Sequence, residues 1–468
     1  MMIKKYICLL AIMLCAISLQ AKDITEDEAL APATVSFKVV NLNSGEVVAE
    51  RNSALCATPA SITKVITTAT ALELLGGDFR FTTLIETNGY IEEGVLHGDL
   101  IIHGDADPTL GSGFMGEMDF ISRWTNKLQQ QGIKHITGNV VADATCIDRY
   151  AIPIGWVWED TGFHYGAGAF GISAYDNFCN IILKSGEPGT KPEVINIFPE
   201  QPGIIIKNEI DVLNIAKDSI HVISMPYETR KILQGGMPSN RNSYAVRSTA
   251  SNPPLQVATR LYNHLKNKDI TVDGEAIVQE KYKDEERTTL ITYRSPQLRE
   301  IIKLTNFKSN NMYAEHIFRR LGNLDMKYQA TSNASINVVK RFWRKKGIDV
   351  STLHLYDGCG LAPHNAYSAD FLTSVLQYMR TSKNWEDFYN SLPMAGAEGT
   401  VASFLRNTPL EKNVRVKSGS LSRVQAYSGY ITDKDGEEYA FTIMINNYKC
   451  SRREIRAIIT KWLNEVVL

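Results

Sequence analysis

No later stretch of this chain is apolar for the roughly 20 residues a membrane-spanning helix needs, and the early run Ile7–Leu19 falls well short. Cysteine is sparse: seven in all, none in CxxC spacing, which argues against a zinc site and a dense disulfide framework. Neither sign of charge dominates, with 50 Lys and Arg against 51 Asp and Glu, so the basic footprint of a nucleic-acid binder is missing. What remains is a chain of 468 residues, 44% apolar, long enough for more than one core and for roughly three domains.

Lys4 and Lys5 precede the apolar run, and Ala21 offers a small residue for cleavage, so residues 1–21 read as an export signal. Cys15 follows Leu14, which does not suit lipoprotein processing, and the expected product is soluble and exported. Losing the leader leaves 48 basic side chains against 51 acidic ones. Five cysteines stay (Cys56, Cys146, Cys179, Cys359, Cys450), an odd number, so at least one thiol is unpaired and one bridge is open to an oxidising compartment.

Val35, Phe37 and Val39 alternate, Asn43-Ser44-Gly45 make a turn, and Val47 to Ala49 return, which predicts an opening hairpin. Thr58 as cap, Pro59 at the first helical position and Gly76-Gly77 as stop predict a helix carrying Ser61 and Lys64. At the other end, Val414 to Ser420 reads as a strand, and Val424–Ile431 and Tyr439–Asn446 flank Asp435-Gly436 as a second hairpin. A last helix from about Ser451 has apolar residues at helical spacing. Both termini therefore build one α/β domain (22–85 and 292–468), and the segment between them is an insertion with its own core. Trp124–Val140 and Leu261–Ile277 echo each other as helix-to-strand units, which implies an inserted domain (86–165 and 251–291) that is itself interrupted. The interruption, 166–250, reads as β-rich.

Three short words carry the chemistry: Ser61-Ile62-Thr63-Lys64, Ser309-Asn310-Asn311 and Lys417-Ser418-Gly419. A serine hydroxyl needs a base, and a lysine three residues on shares its helical face. That lysine is basic only if its pKa falls, through burial and a second cation such as Lys417. Serine near a helix start is otherwise commonly a cap, and Ser with Asn commonly a polar turn; it is the combination that points to catalysis. Gly419 in mid-strand implies a close backbone approach, expected from a peptide substrate.

The chain resembles the class C low-molecular-mass penicillin-binding proteins, a D-alanyl-D-alanine carboxypeptidase/endopeptidase family of exported serine peptidases. The likeness runs through Pro59–Lys64, His103–Leu110, Gly155–Asp160, Ser309–Glu315, Asp357–Leu361, Ser391-Leu392-Pro393 with Gly399-Thr400, and Lys417–Leu421. The spacing of 248 positions from Ser61 to Ser309 is typical of this family and far longer than in ordinary serine β-lactamases. The resemblance implies a transpeptidase/β-lactamase-like αβα sandwich with an antiparallel sheet, plus two nested inserted domains, the inner one β-rich. It implies an acyl-enzyme on Ser61, with Lys64 as base and Ser309 relaying a proton between Lys64 and the leaving amine. Asn311 is expected on the substrate amide, Lys417 and Ser418 on a terminal carboxylate, and the Ser420 N–H with that of Ser61 as oxyanion hole. Asp160 is expected to meet the free amine of a diamino-acid stem residue. Peptidoglycan stem peptides and crosslinks would be the substrates and β-lactams covalent inhibitors, in the periplasm or cell-wall space, without a cofactor.

Three residues depart from the family pattern: Asn310 for aspartate, Ser418 for threonine and Cys359 for serine. Cys359 between His354 and His364 invites a cysteine-protease reading, outweighed by that of a small buried thiol. His97, His103, Asp105 and Asp107 read as part of a turn rather than as metal ligands. Trp156, Trp158, Phe163 and Tyr165 suit either a glycan groove or packing between domains. The rival functions are a β-lactamase-like hydrolase and a non-catalytic wall-binding scaffold.

Overall fold

The computed structural model describes residues 24–116 and 118–467; the expected export signal, 1–21, lies outside them. A five-stranded antiparallel sheet joins the two ends of the chain, in the order Val47–Arg51, Thr34–Asn41, Glu438–Asn446, Val424–Thr432, Val414–Leu421. The opening hairpin pairs directly with the closing one, Val35 opposite Ile445 and Val39 opposite Phe441. Alternation along the strands then serves two cores. Val35, Phe37, Val39, Phe441, Ile443 and Ile445 face the C-terminal helix, Arg452–Val467, where Phe37 meets Trp462 with ring centroids 4.5 Å apart. Ala426, Tyr430, Ala440 and Met444 face the opposite layer of helices, among them Thr63–Leu75, Leu298–Lys308, Asn311–Gly322 and Ala369–Arg380.

Thr63–Leu75 is the central helix of that layer, buried on every side from Thr63 to Leu72. Its threonines tolerate this because each hydroxyl has an acceptor: Thr68 donates to Lys64 O and Thr70 to Ile66 O, each at 2.7 Å, and Thr67 to Gly358 O at 2.6 Å. Gly76, with φ 84°, ends the helix.

Between the two ends lies a second five-stranded sheet, ordered Ala276–Gln279, Val140–Asp143, Leu100–His103, Thr82–Thr87, Thr288–Arg294. The chain passes in through Thr82–Thr87 and out through Thr288–Arg294, which pair antiparallel. This sheet therefore starts before 86 and ends after 291, the limits expected from sequence. The two echoing units sit side by side: their strands pair in parallel at one constant register, Thr271 with His135 and Ala276 with Val140. Residues 178–249 form two three-stranded sheets around Cys179, Ile181, Leu183, Ile210, Val212, Leu233 and Met237. Among the described residues no helix is long and apolar enough to cross a membrane.

Candidate active site

Ser61 sits in a 3-10 turn, Ala60–Ile62, that feeds the central helix, with Ala60 in the left-handed region at φ 51°. Thr58 is not the expected cap. Its N–H donates to Asn446 Oδ1 (2.8 Å), tying it to the sheet, and Pro59 stands at the N-cap without a side-chain bond. Lys64, one turn on, is fully buried and its Nζ donates to Ser61 Oγ (3.0 Å), Asn311 Oδ1 (2.7 Å) and Cys359 O (2.6 Å). Burial pulls the Lys64 pKa down, while nearby Asp357 and Glu315 oppose the shift.

Ser309 closes the helix Leu298–Lys308 in the left-handed conformation at φ 52°. Asn310 caps the next helix, its side chain accepting from the Tyr313 N–H at 3.1 Å, a task asparagine performs as well as the family's aspartate. Asn311 therefore starts that helix facing Lys64. Its Nδ2 donates to Tyr165 O at 2.9 Å.

The third word closes the site from the sheet. Lys417 is fully buried, and its Nζ donates to Ser309 Oγ (2.9 Å) and Ser418 O (2.7 Å). Burial, reinforced by the charge of Lys64, holds its pKa well below the usual lysine range. Lys417 thus stands inside the wall of the site. The surface of the cleft, about 250 Å³, is formed by Ser61, Ser309, Thr400, Ser418 and Ser420 with Gln425 and two arginines. Thr400 and Ser418 share a hydroxyl hydrogen bond at 2.8 Å, and Ser420 Oγ donates to Gln425 Oε1 at 2.9 Å. The close approach that demands Gly419 is made by the protein itself. A Cβ there would lie 2.5 Å from Pro59 O and 3.0 Å from the Ser61 nitrogen, so the Ser61 turn rests on the strand where a substrate was expected.

Asp357 and its partners form a support that the motifs do not announce. This buried carboxylate accepts from the N–H groups of Gly360 (2.7 Å), Leu361 (2.9 Å) and Ala362 (2.7 Å), from Asn365 Nδ2 (2.8 Å) and from Trp156 Nε1 (2.8 Å). The turn it gathers presents Cys359 O to Lys64 and Gly358 O to Thr67. Gly360, with φ 81°, passes so close to Ala60 that a Cβ would lie 1.9 Å from its carbonyl oxygen. Glu315 accepts from the Gly358 N–H (2.7 Å), and burial with Asp357 nearby pushes its carboxyl up to about 8. The Asp-Gly-x-Gly spacing was the available signal for this turn, but the donors converge only in three dimensions.

The remaining candidates fall elsewhere. Cys359 is buried, and burial beside Asp357 and Glu315 drives its thiol far above the usual range, which leaves no thiolate for attack. His354 is in backbone pairing with Ala366, and His364 packs on Tyr356. His103 bonds Asp143, Asp105 pairs with Arg320, Asp107 accepts from Thr109, and His97 stacks on Tyr90. The described cysteines are all free. Asp160 accepts from the Tyr165 hydroxyl at 2.9 Å, so it reaches Asn311 through the Tyr165 backbone; burial raises its pKa. Trp156 is buried on Asp357, whereas Trp158 is 61% exposed.

The profile of the D-Ala-D-Ala carboxypeptidase 3 (S13) family matches residues 17–466. The chain belongs to this family. It is 27% identical over 420 residues to the D-alanyl-D-alanine carboxypeptidase DacB of Haemophilus influenzae, covering 89% of this chain and 86% of that one. It is 26% identical over 439 residues to the D-alanyl-D-alanine carboxypeptidase of Actinomadura sp. strain R39, covering 91% and 80%. The crystal structure of penicillin binding protein 4 from Haemophilus influenzae superposes with a TM-score of 0.84 at 26% identity, over 96% of this chain and 98% of that one. The S13 architecture here is thus the transpeptidase/β-lactamase-like sandwich with inserted segments.

Proposed function

We propose that this chain is an exported serine D-alanyl-D-alanine carboxypeptidase, with D,D-endopeptidase activity on peptidoglycan crosslinks, working through an acyl-enzyme on Ser61. The observation that carries the reading is the buried Lys64 amine 3.0 Å from the Ser61 hydroxyl. Desolvation lowers the cost of a neutral amine, so Lys64 takes the Ser61 proton as the oxygen attacks the D-alanyl carbonyl. Charge then develops on the carbonyl oxygen. We assign its stabilisation to the backbone N–H groups of Ser61 and Ser420, residues that both line the cleft.

Collapse of the tetrahedral species needs a proton on the leaving nitrogen. Ser309 is the hydroxyl lining the cleft for this step, and its Oγ lies 2.9 Å from the Lys417 amine, which links it to the second buried lysine. Asn311 orients Lys64 with its Oδ1 and leaves an N–H for the acyl part of the substrate. Asp160, on the inserted side and linked through Tyr165, suits the free amine of a stem residue. The relatives are named as carboxypeptidases, and the Haemophilus influenzae protein has been crystallised with a β-lactam. This supports stem peptides as substrates and β-lactams as acylating inhibitors. The division into a catalytic domain, an inserted domain and an inner β-rich domain belongs to the same proposal, as does export by residues 1–21.

A labelled penicillin attaches to the wild-type protein and not to Ser61→Ala, and wild type releases D-alanine from a stem pentapeptide. Equal labelling of both proteins would refute the assignment.

A further inference from the structure

The C-terminal helix Arg452–Val467 buries Ile455, Ile459, Trp462 and Leu463 against the sheet. Its opening arginines look the other way. Arg452 and Arg456, one turn apart, line the same cleft as Ser61 and Ser309. Arg456 is held from two sides: its Nη2 donates to Ser403 Oγ at 2.9 Å, and its guanidinium lies beside the Tyr427 phenol. Tyr427 is itself fixed by stacking on Phe404, with centroids 3.9 Å apart and planes within 5°. Arg452 reaches Leu421 O at 3.5 Å, the residue directly after Ser420.

Both guanidiniums have only neutral anchors. Among the described residues no carboxylate comes within ion-pair distance of either, and Glu454, between them on the helix, accepts from the Ser451 N–H at 2.8 Å. Two arginines in this state beside a nucleophile make a receptor for a carboxylate, which a guanidinium binds through paired N–H donors. Lys417, the cation expected to do this from sequence, is enclosed in the wall, where it donates to Ser309 Oγ and Ser418 O.

We propose that Arg452 and Arg456 bind the α-carboxylate of the D-amino acid on the leaving side of the scissile bond. The proposal rests on the D,D-peptidase reading above. In a D-alanyl-D-alanine terminus this carboxylate belongs to the residue whose nitrogen departs. A crosslink keeps the same group on its leaving residue while the side chain runs on into the neighbouring stem. The cleft leaves room for that chain, because it shares Arg452 and Arg456 with an adjoining trough of about 950 Å³ that also carries Arg453 and Lys461. The arginines make and break no bond; they hold the leaving side so that the carbonyl meets Ser61.

The test compares discrimination in the full mature protein. One probe pair is an N-acyl-D-alanyl-D-alanine peptide and its C-terminal amide, read as kcat/KM; the other is benzylpenicillin and its methyl ester, read as the rate of Ser61 acylation by intact mass. Wild type prefers the free acid in each pair. In Arg452→Ala and in Arg456→Ala that preference falls by about tenfold or more, mainly through KM for the peptides, and Arg456→Lys recovers part of it. A double variant that keeps the wild-type preference in both pairs overturns the proposal. Wild type that is acylated by penicillin yet releases the terminal residue from neither peptide refutes the D,D-peptidase reading instead, and the arginines are then judged on the penicillin pair alone.

Discussion

Two buried lysines decide what this site can do. Lys64 and Lys417 have lost all contact with water, and burial holds both pKa values down. Acylation by penicillin is therefore expected to rise with pH through a depressed lysine pKa and to level off below the ordinary lysine value. Lys64→Met removes the proposed base, so its acylation rate is expected to fall by about 10²–10⁴-fold, measured by stopped-flow labelling, with far-UV circular dichroism unchanged. Glu315 acts on stability in the opposite sense. Its folded carboxyl titrates at about 8 against an ordinary 4.5. Between these values the folded protein keeps a proton that the unfolded chain has released, so stability is full below about 4.5 and declines as pH rises toward about 8. Urea titrations from pH 5 to 8 should show that decline in wild type and a flatter profile in Glu315→Gln. These residues are recognisable as titratable from sequence, but their desolvation is a property of the folded surroundings.

At the scale of elements, the site is made where backbones touch. The strand Val414–Leu421 and the turn Ala60–Ile62 come so close that Gly419 has no room for a methyl group. Gly419→Ala is expected to push the Ser61 turn away and slow acylation more than tenfold, while costing about 1–3 kcal/mol of stability by overpacking; denaturant unfolding and labelling rates check the two effects separately. The helices, hairpins and final amphipathic helix were readable from capping residues, turn residues and periodicity, all of which act within a few residues. Thr58 does not cap the helix because it is claimed from far away: its N–H donates to Asn446 Oδ1 and its carbonyl accepts from Asn446 Nδ2, 388 residues along the chain. Asn310, a departure from the family pattern, needed no partner from afar, and its capping role follows from its place between two helices.

For the molecule as a whole, the inserted segment stabilises the site it frames. Trp156 reaches over to Asp357, Tyr165 O accepts from Asn311, Ser173 bonds His316 at 2.6 Å, and Asp148 pairs with Arg319 at 2.7 Å. Each contact joins the insert to the helix Asn311–Gly322 or to the turn under Lys64. Trp156→Phe keeps the ring but removes a donor from a buried carboxylate, at a cost of about 1–3 kcal/mol. Its thermal midpoint should drop and its acylation should slow more than expected from a stability loss alone; a variant that unfolds earlier yet acylates at the wild-type rate would show that the insert does not support the chemistry. The echo between Trp124–Val140 and Leu261–Ile277 predicted an interrupted domain, and the structure adds that the two units pair strand to strand.

The amino-acid sequence alone determined the local geometry: a serine and a lysine on one helical face, two hairpins, a glycine in a strand and the order of the three words. Spacing and pattern are enough for these because each depends on neighbours a turn or a pleat away. Only the tertiary structure decided which lysine meets which hydroxyl, that Lys417 is walled in while Arg452 and Arg456 face the cleft, and that Asp357 organises the floor beneath Lys64. Those outcomes depend on desolvation and on segments hundreds of residues apart coming within hydrogen-bond distance, and neither is encoded at any single stretch of the chain.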